Sequence, residues 1–462
     1  MKQLSVLIVL TLATLGAPAA PLPAISPSGI PAFTEEMLSP DFWIRRAPAP
    51  DAVLLTPAQT AARRLAAYQP GGGFIDIARL PATLTRAQVT DWLKAAELSP
   101  VKLAVDERGQ PVTEAALQEL RRNAAPERIA DTAPTRYGLA VRRTPMRTLP
   151  SDARFFAATD QRDYESLTAG VLFPGEPVLI AHTSADGRWL LVMTTQGPAW
   201  VSAADVAAGS APEVFGYANK APGLVVTGDH VHTVHTPEAP GVSELDLDMG
   251  VALPLAHVPP DEPVNGAGSY ASHVVELPVR QPDGQLAFSP ALVRRASDTS
   301  PGYLQVTRAN ILRQAFKLLG ERYGWGHQFN ARDCSGLVSE VYRSLGLLLQ
   351  HSSALQGTSS AFQHRLFSAK DTHAERVRAL QAAGIGDLVV VPGHVLMIVG
   401  HVDGAPYVIQ DVPYAVFDDP ATGKRRRTKL NQVAVTPLLP LYADDTTLYV
   451  DAMTSLVHVT RP

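Results

Sequence analysis

A single cysteine, Cys334, is the feature that most limits how this 462-residue chain can fold. One thiol cannot close an internal disulfide or build a thiolate zinc cluster. The chain must therefore be stabilised by apolar packing alone, and its hydrophobic content of 46% is enough for real cores. At this length we expect about three domains of ordinary size.

The N-terminal residues have the pattern of an export signal. Lys2 precedes an uncharged run from Leu4 to Leu15, and small residues follow up to Ala19. This order predicts a secretory signal peptide over residues 1–19, with a buried first strand or helix as the alternative. The run is shorter than the roughly 20 residues of a membrane-spanning helix. We therefore expect a soluble exported protein, periplasmic or extracellular, that does not span a membrane.

Residues 25–134 are expected to form a small helical domain. In TPAQTAARRLAAYQ, Thr56 is suited to cap a helix and Pro57 takes the first helical position. TRAQVTDWLKAAEL (85–98) and TEAALQELRRN (113–123) repeat this polar cap followed by an amphipathic run.

Two stretches of short alternating strands follow. In residues 135–211, Asp186-Gly187 lies between two apolar runs, a hairpin signal, and about five short strands are expected to close a small barrel. Residues 212–300 have a weaker pattern with several Pro and Gly breaks. We predict a second barrel of the same kind there.

In residues 301–462 helices come first and strands later, which indicates an α+β domain. TRANILRQAFKLLG (307–320) is amphipathic, and a second helix is expected to begin at Cys334. Three strands follow, at 387–391, 394–402 and 406–412.

Cys334 would lie in the first turn of its helix, where unpaired backbone N–H groups and the positive dipole end favour an anion. A thiol in such a place is shifted toward thiolate, and further by a nearby imidazolium. The alternative is a small buried apolar residue, the usual fate of a lone cysteine. The polar neighbours Asp333 and Ser335 favour a nucleophile, which needs a base and a group that orients the base.

His394 is the best placed base among the 13 histidines, because Pro392-Gly393 puts it at the first position of an apolar strand. Alternation puts Gln410 on one face of the next strand and Asp411 on the other. The Gln410 amide oxygen could accept the imidazole N–H if the hairpin pairs the strand ends, and a solvent-facing glutamine is the alternative. Asp411 would serve only if a bulge reversed the alternation.

Four short motifs combine in a specific way. They are YGWG from Tyr323, RDCSG around Cys334, PGH ending at His394 and PYVIQD from Pro406. Together they resemble the NlpC/p60-type cell-wall cysteine peptidases, and the two upstream β stretches resemble bacterial SH3 barrels. The implied architecture is multidomain: a helical N-terminal domain, two small all-β SH3-like barrels and a C-terminal α+β papain-like domain.

The resemblance implies an endopeptidase that cuts the γ-D-glutamyl–diamino acid bond of peptidoglycan stem peptides or muropeptides, without a metal or other cofactor. Some such enzymes act only on released fragments with a free N-terminal L-alanine. By position, Cys334 matches the nucleophile, His394 the base and Gln410 the third catalytic residue. The other implied site residues are Tyr323, which helps to hold the tetrahedral intermediate, and the substrate-binding residues Asp333, Ser335 and Trp325.

Two positions depart from the family pattern. Gln410 stands where histidine is common, and a neutral amide can orient the ring but adds no charge to stabilise imidazolium. His327 stands where a second glycine is common after the tryptophan. We expect its larger side chain to alter access to the cleft.

Two other functions stay open. One is a cell-wall binding or scaffolding protein whose peptidase domain is weak or inactive, which the glutamine at the third position favours. The other is an amidase or acyltransferase of the same fold. The presence of Cys334 together with His394 favours a working hydrolase.

Charge and histidine clusters suggest few other partners. The formal net charge of −4 gives no electrostatic case for nucleic acid. KRRRTK (424–429) is expected to be a solvated hairpin tip, with contact to an anionic cell-wall polymer as the alternative.

DHVHTVHTP (229–237) invites a zinc site, but its third histidine, His235, falls on the other strand face and no carboxylate has an obvious place beside the other two. We expect a solvated strand there. ELDLDMG (244–250) is expected to be a wet strand face, with attraction of a cation by Asp246 and Asp248 as the alternative.

Overall fold

The computed structural model describes residues 29–98, 102–259 and 261–461. The signal peptide expected over residues 1–19 lies outside them. Within the described ranges, no helix is long and apolar enough to cross a bilayer.

The three predicted N-terminal helices are present, and each begins after a capping threonine. The side chain of Thr56 accepts a hydrogen bond from the backbone N–H of Gln59, whose side chain accepts one from the backbone of Thr56 in return. Thr85 and Thr113 also cap their helices. These contacts satisfy backbone groups that a helix start leaves unpaired. The elements of this segment are α1 (Pro40–Ile44), β1 (Val53–Leu55), α2 (Pro57–Ala67), β2 (Thr83–Thr85), α3 (Arg86–Ala96), β3 (Val105–Asp106), α4 (Glu114–Asn123) and β4 (Thr132–Pro134).

The buried side chains of this N-terminal segment belong to cores that it shares with later domains. Trp43 and Leu55 lie in the apolar cluster of the C-terminal domain. Ile77 and Val89 pack in a cluster with Trp189 of the first β domain. Each of these short helices has one apolar stripe, which needs a surface to cover. The segment therefore forms a layer over its neighbours.

The first β domain contains the strands β5 (Arg136–Ala140), β6 (Thr144–Arg147), β7 (Phe155–Phe156), β8 (Thr168–Leu172), β9 (Pro177–Thr183), β10 (Trp189–Thr194), β11 (Gly197–Ser202) and β12 (Val206–Gly209). Seven of them form one antiparallel sheet in the order β12-β5-β9-β10-β11-β6-β8. Gly187 lies between β9 and β10 at φ +72°, which glycine adopts without steric cost. This confirms the predicted hairpin turn.

A second β unit, residues 219–300, follows the helix α5 (Ala211–Ala218). It consists of three small antiparallel sheets around one core, to which Phe173 of the first β domain also contributes. The two β regions are therefore packed directly against each other. Its strands are β13 (Leu224–Val226), β14 (His230–His232), β15 (Asp246–Asp248), β16 (Ala252–Leu253), β17 (Ser272–Arg280), β18 (Leu286–Arg294) and β19 (Thr299–Ser300).

The C-terminal domain has the predicted order of helices first and strands later. Its elements are β20 (Val306–Thr307), α6 (Arg308–Lys317), α7 (Cys334–Ser344), α8 (Ser353–Thr358), β21 (Gln363–Leu366), α9 (His373–Gln381), β22 (Leu388–Val391), β23 (His394–Val402), β24 (Ala405–Asp418), β25 (Arg425–Pro437), β26 (Leu441–Tyr442), α10 (Tyr449–Ala452) and β27 (Ser455–His458).

The sheet of this domain runs in the order β21-β27-β22-β23-β24-β25, with β26 paired to β24. Helices α6 and α7 pack on one face, where Val395 and Met397 of β23 join their apolar cluster. Leu396 and Ile398 enter the cluster on the other face. Both faces of β23 are thus buried in its middle, and its first residue, His394, is left partly exposed at one end of the sheet.

Candidate active site

Cys334 is the first residue of α7, and Asp333 is the residue that caps this helix. Asp333 Oδ1 accepts hydrogen bonds from the backbone N–H groups of Ser335 and Gly336, both at 2.9 Å, and from the Ser335 hydroxyl at 2.8 Å. Asp333 Oδ2 accepts the backbone N–H of Gly326 at 3.0 Å. The carboxylate therefore fixes both the helix start and the loop before it.

His394 is oriented by a relay of two side chains. Gln410 Oε1 lies 2.8 Å from His394 Nε2, and Gln410 Nε2 donates to Thr436 Oγ1 at 2.8 Å. In this orientation the Gln410 amide oxygen faces the imidazole and can only accept, so His394 Nε2 carries the proton. His394 Nδ1 is then the unprotonated nitrogen.

The backbone of Val395 brings the thiol and the imidazole to neighbouring positions. Its N–H donates to the Cys334 thiol, and Val395 directly follows His394. The ring of Tyr449 lies 6.0 Å from that of His394, and burial, followed by the nearby Cys334, raises the pKa of the Tyr449 hydroxyl. These residues come from the start of α7, the start of β23 and α10.

Burial shifts the Cys334 thiol and the His394 imidazole toward their neutral forms. It raises the pKa of the Cys334 thiol, the Asp333 carboxylate raises it further, and the Val395 N–H lowers it. Packing around the imidazole lowers the pKa of His394, and the hydrogen bond with Gln410 raises it. The expectation of a thiol shifted toward thiolate is therefore outweighed by desolvation. Burial thus favours the neutral thiol and the neutral imidazole.

An aromatic wall borders the thiol, and one of its rings comes from the first β domain. The Tyr164 ring lies 5.6 Å from Tyr323 and 5.3 Å from Trp325. Burial raises the pKa of Tyr164 to about 12, while a hydrogen bond from Tyr323 opposes the shift. Tyr323 is 4% exposed, so its hydroxyl is held in place by this neighbour.

The loop between Tyr323 and the helix start, which we call the cleft loop (Trp325–Asn330), has an unusual backbone. Gly326, His327, Phe329 and Asn330 have φ values of 58°, 66°, 58° and 56°. The left-handed region costs about 1 kcal/mol or more for a residue other than glycine. Contacts from outside the loop must therefore hold it.

The first β domain supplies several of these contacts. A Cβ on Gly326 would lie 2.5 Å from Thr168 Cγ2, so only glycine fits there. Gln328 Nε2 donates to Thr168 Oγ1 at 2.7 Å, and an Arg143 NH2 group donates to the carbonyl of His327 at 3.1 Å. Three consecutive residues of the cleft loop thus contact the same domain.

The second β unit holds the other end of the loop. Arg143 Nε also donates to both carboxylate oxygens of Asp248, at 3.1 and 3.0 Å. The side chain of Asn330 donates to Asp246, the neighbour of Asp248 on β15. Arg143 is therefore a junction between both β regions and the cleft loop.

Two family models match the chain. Residues 320–405 match the NlpC/P60 family, and residues 154–202 match the SH3 domain of the SH3b1 type. The chain carries an NlpC/P60 domain. A search of curated proteins found no match.

Two solved structures of low sequence identity also match the chain, and the first is similar in fold. A novel NlpC/P60 endopeptidase from Photobacterium damselae subsp. piscicida is 16% identical, with a TM-score of 0.69 over 89% of this chain and 95% of its own. An NlpC/P60 family protein from Bacillus cereus is also 16% identical, with a TM-score of 0.42 over 64% of this chain and 83% of its own. The first likeness extends over nearly the whole chain, beyond the NlpC/P60 domain.

The NlpC/P60 match includes Tyr323, Cys334 and His394 but ends before Gln410. The glutamine is therefore placed by geometry, through the pairing of β23 with β24 and its 2.8 Å contact with His394. The register shift of the next pair, β24 with β25, falls between Val412 and Tyr414. This bulge lies beyond Asp411, so it does not turn the Asp411 side chain toward the imidazole.

His327 does not line the cleft of the NlpC/P60 domain, so the expectation that it alters access is wrong. Its ring is buried under the start of α7, with Nε2 3.0 Å from Glu340 Oε1. Arg332 Nε donates to the other oxygen of Glu340 at 2.7 Å. Burial alone would raise the pKa of Glu340, but Arg332 holds it well below its ordinary value. The left-handed backbone turns His327 inward, where it joins a buried ion network.

Asp411 is fully buried beside this network. Both of its carboxylate oxygens lack a hydrogen-bond partner among the described residues. Burial raises its pKa well above the ordinary value, and the nearby Asp333 and Glu321 raise it further. Asp411 is therefore a protonated acid on the face of β24 opposite Gln410.

The acidic strand that was expected to be a wet face is in fact half buried. His230 pairs with Asp248 across β14 and β15, and its Nδ1 lies 3.0 Å from Asp246 Oδ1. Two carboxylates thus lie beside His230. The ligand atoms of His230, Asp246 and Asp248 are close enough together to bind one metal ion. Arg143 already binds the fully buried Asp248, and an Arg332 nitrogen lies 3.5 Å from His230 Nε2. Together with the guanidinium groups of Arg143 and Arg332, these residues form an ion network that joins the two β regions to the C-terminal domain.

Sequence reasoning missed Tyr164, Thr436 and Arg143. Thr436 had a weak signal, since β25 carries it on the same side as Ala434, which pairs with Gln410. Tyr164 and Arg143 had none, because they lie more than one domain away from Cys334 along the chain.

Proposed function

We propose that this chain is an exported cysteine endopeptidase that hydrolyses the γ-D-glutamyl–diamino acid bond of peptidoglycan stem peptides. The 2.8 Å contact between Gln410 Oε1 and His394 Nε2 carries the proposal. It orients an imidazole whose neighbour, Val395, donates its N–H to the Cys334 thiol. A thiol at a helix start beside an oriented base is what nucleophilic catalysis requires.

Acylation begins with proton transfer from the Cys334 thiol to His394 Nδ1. The resulting thiolate attacks the γ-glutamyl carbonyl, and its oxygen becomes an oxyanion. Backbone N–H groups at the start of α7 and the Tyr323 hydroxyl are the donors available to stabilise that charge. Burial favours the neutral thiol and imidazole, so the proton must leave the thiol before or during the attack.

The same imidazole completes acylation and then serves deacylation. His394 donates its Nδ1 proton to the departing amine as the tetrahedral intermediate collapses, which leaves a thioester on Cys334. It then accepts a proton from water, whose oxygen attacks the thioester carbonyl. Breakdown of the second intermediate releases the glutamyl acid and returns the proton to the thiol.

The proposed substrate has a free amine at its L-alanine end. Asp333 and Ser335 match family positions that bind such an amine, and Asp333 Oδ2 accepts only the N–H of Gly326 among the described residues. A carboxylate oxygen can accept a further hydrogen bond. Tyr164 supports this restriction because it adds a ring beside Trp325 and narrows the site.

The test is product analysis on the tetrapeptide L-Ala-γ-D-Glu-diamino acid-D-Ala. We expect two dipeptides from the intact chain and none from Cys334→Ala at unchanged melting temperature. Release of ammonia or of a transacylated product would favour the amidase or acyltransferase. Absence of any product would favour the scaffolding protein.

Two further variants test the base and its orientation. His394→Ala should lower kcat by about 100-fold to 10,000-fold, the range for loss of a general acid–base. Gln410→Ala should cost less, because the imidazole remains. Equal or reversed losses would assign the orienting role to another group.

A further inference from the structure

A cluster of cationic side chains lies on the hairpin of β24 and β25 next to the aromatic wall. Arg427 and Lys429 follow each other on one side of β25, opposite Tyr414 of β24, which pairs with Lys429. Arg322, which precedes Tyr323, lies at the same edge, since it bridges to Gln432. We call Arg322, Arg427 and Lys429 the cationic rim.

The positive charge of the rim exceeds the negative charge that faces it. Asp163 binds two of its members, Arg322 at 3.0 Å and Lys429 at 3.5 Å. Arg427 has no carboxylate partner among the described residues, and its guanidinium stacks on Tyr414 with 4.4 Å between the charge centre and the ring centroid. One carboxylate thus faces three exposed cations.

The rim borders the proposed cleft. Asp163 directly precedes Tyr164, the ring that contacts Tyr323 and Trp325. Tyr414 is near enough to Tyr164 to act on its hydroxyl electrostatically. A stacked guanidinium keeps its outward N–H groups in a fixed plane, which suits a carboxylate.

We propose that the cationic rim, with Arg427 as its free member, is a subsite for a carboxylate of the substrate. The proposal rests on the proposed function, because a γ-linked glutamyl stem peptide has a free α-carboxylate on its D-glutamate and another at its C-terminus. Both sources have the same chemistry at the rim. A subsite on this edge would select charged stem peptides over their amidated forms.

The first measurement compares Arg427→Gln with the unaltered chain on the tetrapeptide. We expect KM to rise about fivefold, the effect of one or two exposed ion pairs, with kcat unchanged because Arg427 takes no part in the proposed proton transfers. The KM of the unaltered chain should also rise with salt, and that of the variant should rise less.

Amidated substrates identify the carboxylate. Amidation of the D-glutamate α-carboxylate, or of the C-terminus, should raise KM in the unaltered chain only where that group meets the rim. The same amidation should then have no effect in Arg427→Gln. Equal effects of amidation in both chains, for both peptides, would overturn the subsite.

Lys424→Gln is the matched control, since Lys424 is an exposed cation on the same hairpin outside the rim. An equal rise in KM in this control would mean a long-range charge effect and would also overturn the subsite.

Binding of the same peptides to the Cys334→Ala chain, measured by calorimetry, separates this proposal from the proposed function. Charge-selective binding without cleavage by the intact chain would retain the subsite and reject the hydrolase. Cleavage without charge-selective binding would retain the hydrolase and reject the subsite.

Discussion

Gln410 illustrates what one neutral side chain can and cannot do beside an imidazole. Its amide nitrogen donates to Thr436, and its oxygen faces His394. This fixes the tautomer of His394 and leaves Nδ1 unprotonated. An amide adds no charge, however, and burial keeps the pKa of the ring below its ordinary value. Both facts favour the neutral form of the imidazole beside Cys334.

At the same scale, Asp411 should make the protein less stable as the pH rises. Its pKa is raised in the folded state by burial, so the native chain holds a proton that the unfolded chain releases above its ordinary pKa of about 3.9. Stability therefore falls as the pH rises from there toward the folded pKa. Asp411→Asn cannot ionise, so it should be more stable than the unaltered chain at pH 7, by about 1–3 kcal/mol.

Melting temperatures between pH 4 and pH 8 check this prediction. The gap between Asp411→Asn and the unaltered chain should open as the pH rises and close toward pH 4. The exposed Asp91→Asn serves as control. A gap of constant size would show that Asp411 is ionised in both states or in neither.

At the scale of elements, the start of α7 is shaped by what lies beneath it. Gly336 is in the first turn of this helix, and a Cβ there would lie 2.7 Å from Cε1 of His327. His327 in turn holds Glu340, one turn further along. The helix start, the cleft loop and the ion network therefore constrain one another.

Gly336→Ala should lower the stability even though alanine is the better helix former. Helix propensity alone predicts a gain of about 1 kcal/mol. Overpacking against the buried His327 ring should outweigh it and cost about 1–3 kcal/mol, seen as a lower melting temperature. Gly216→Ala in α5 is the matched control, because nothing lies within 4 Å of its added Cβ. A stabilised Gly336→Ala variant would refute the packing argument.

At the scale of the whole molecule, both β regions hold the cleft loop, and the first also adds a ring to the aromatic wall. The first contributes Tyr164 and holds the left-handed loop through Thr168. The second is tied to the same loop by Asp246. Arg143 joins both regions to the loop through Asp248 and the carbonyl of His327. The SH3-type domain therefore has a structural role beside the NlpC/P60 domain.

Replacing Arg143 and Asp248 together separates stability from loop positioning. Arg143→Met alone leaves the buried Asp248 unpaired and should cost about 3–5 kcal/mol. The double variant Arg143→Met/Asp248→Leu should recover most of that stability, since apolar pairs can replace buried ion pairs. It should still show a reduced kcat/KM, because the cleft loop has lost its contact at His327.

Thermal melts and peptide kinetics on the same preparations check this prediction. The exposed pair Arg188 and Asp152, replaced in the same way, is the control for charge removal. A double variant with full kcat/KM would mean that the loop holds itself without Arg143.

The sequence by itself determined the elements and the local geometry near the site. Apolar periodicity placed the start of α7 at Cys334, and alternation along β24 put Gln410 and Asp411 on opposite faces. These features depend on residues close together in the chain, where helix and strand periods act.

Only the tertiary structure decided which distant residues surround the thiol. Tyr164 reaches Tyr323 from another domain, His327 turns inward to Glu340, and Asp248 is buried under Arg143. None of these contacts can be predicted from the helical or strand periodicity of the sequence, because each depends on how distant parts of the chain pack together. Burial, which raises the thiol pKa against the helix start, is likewise a property of the packed molecule.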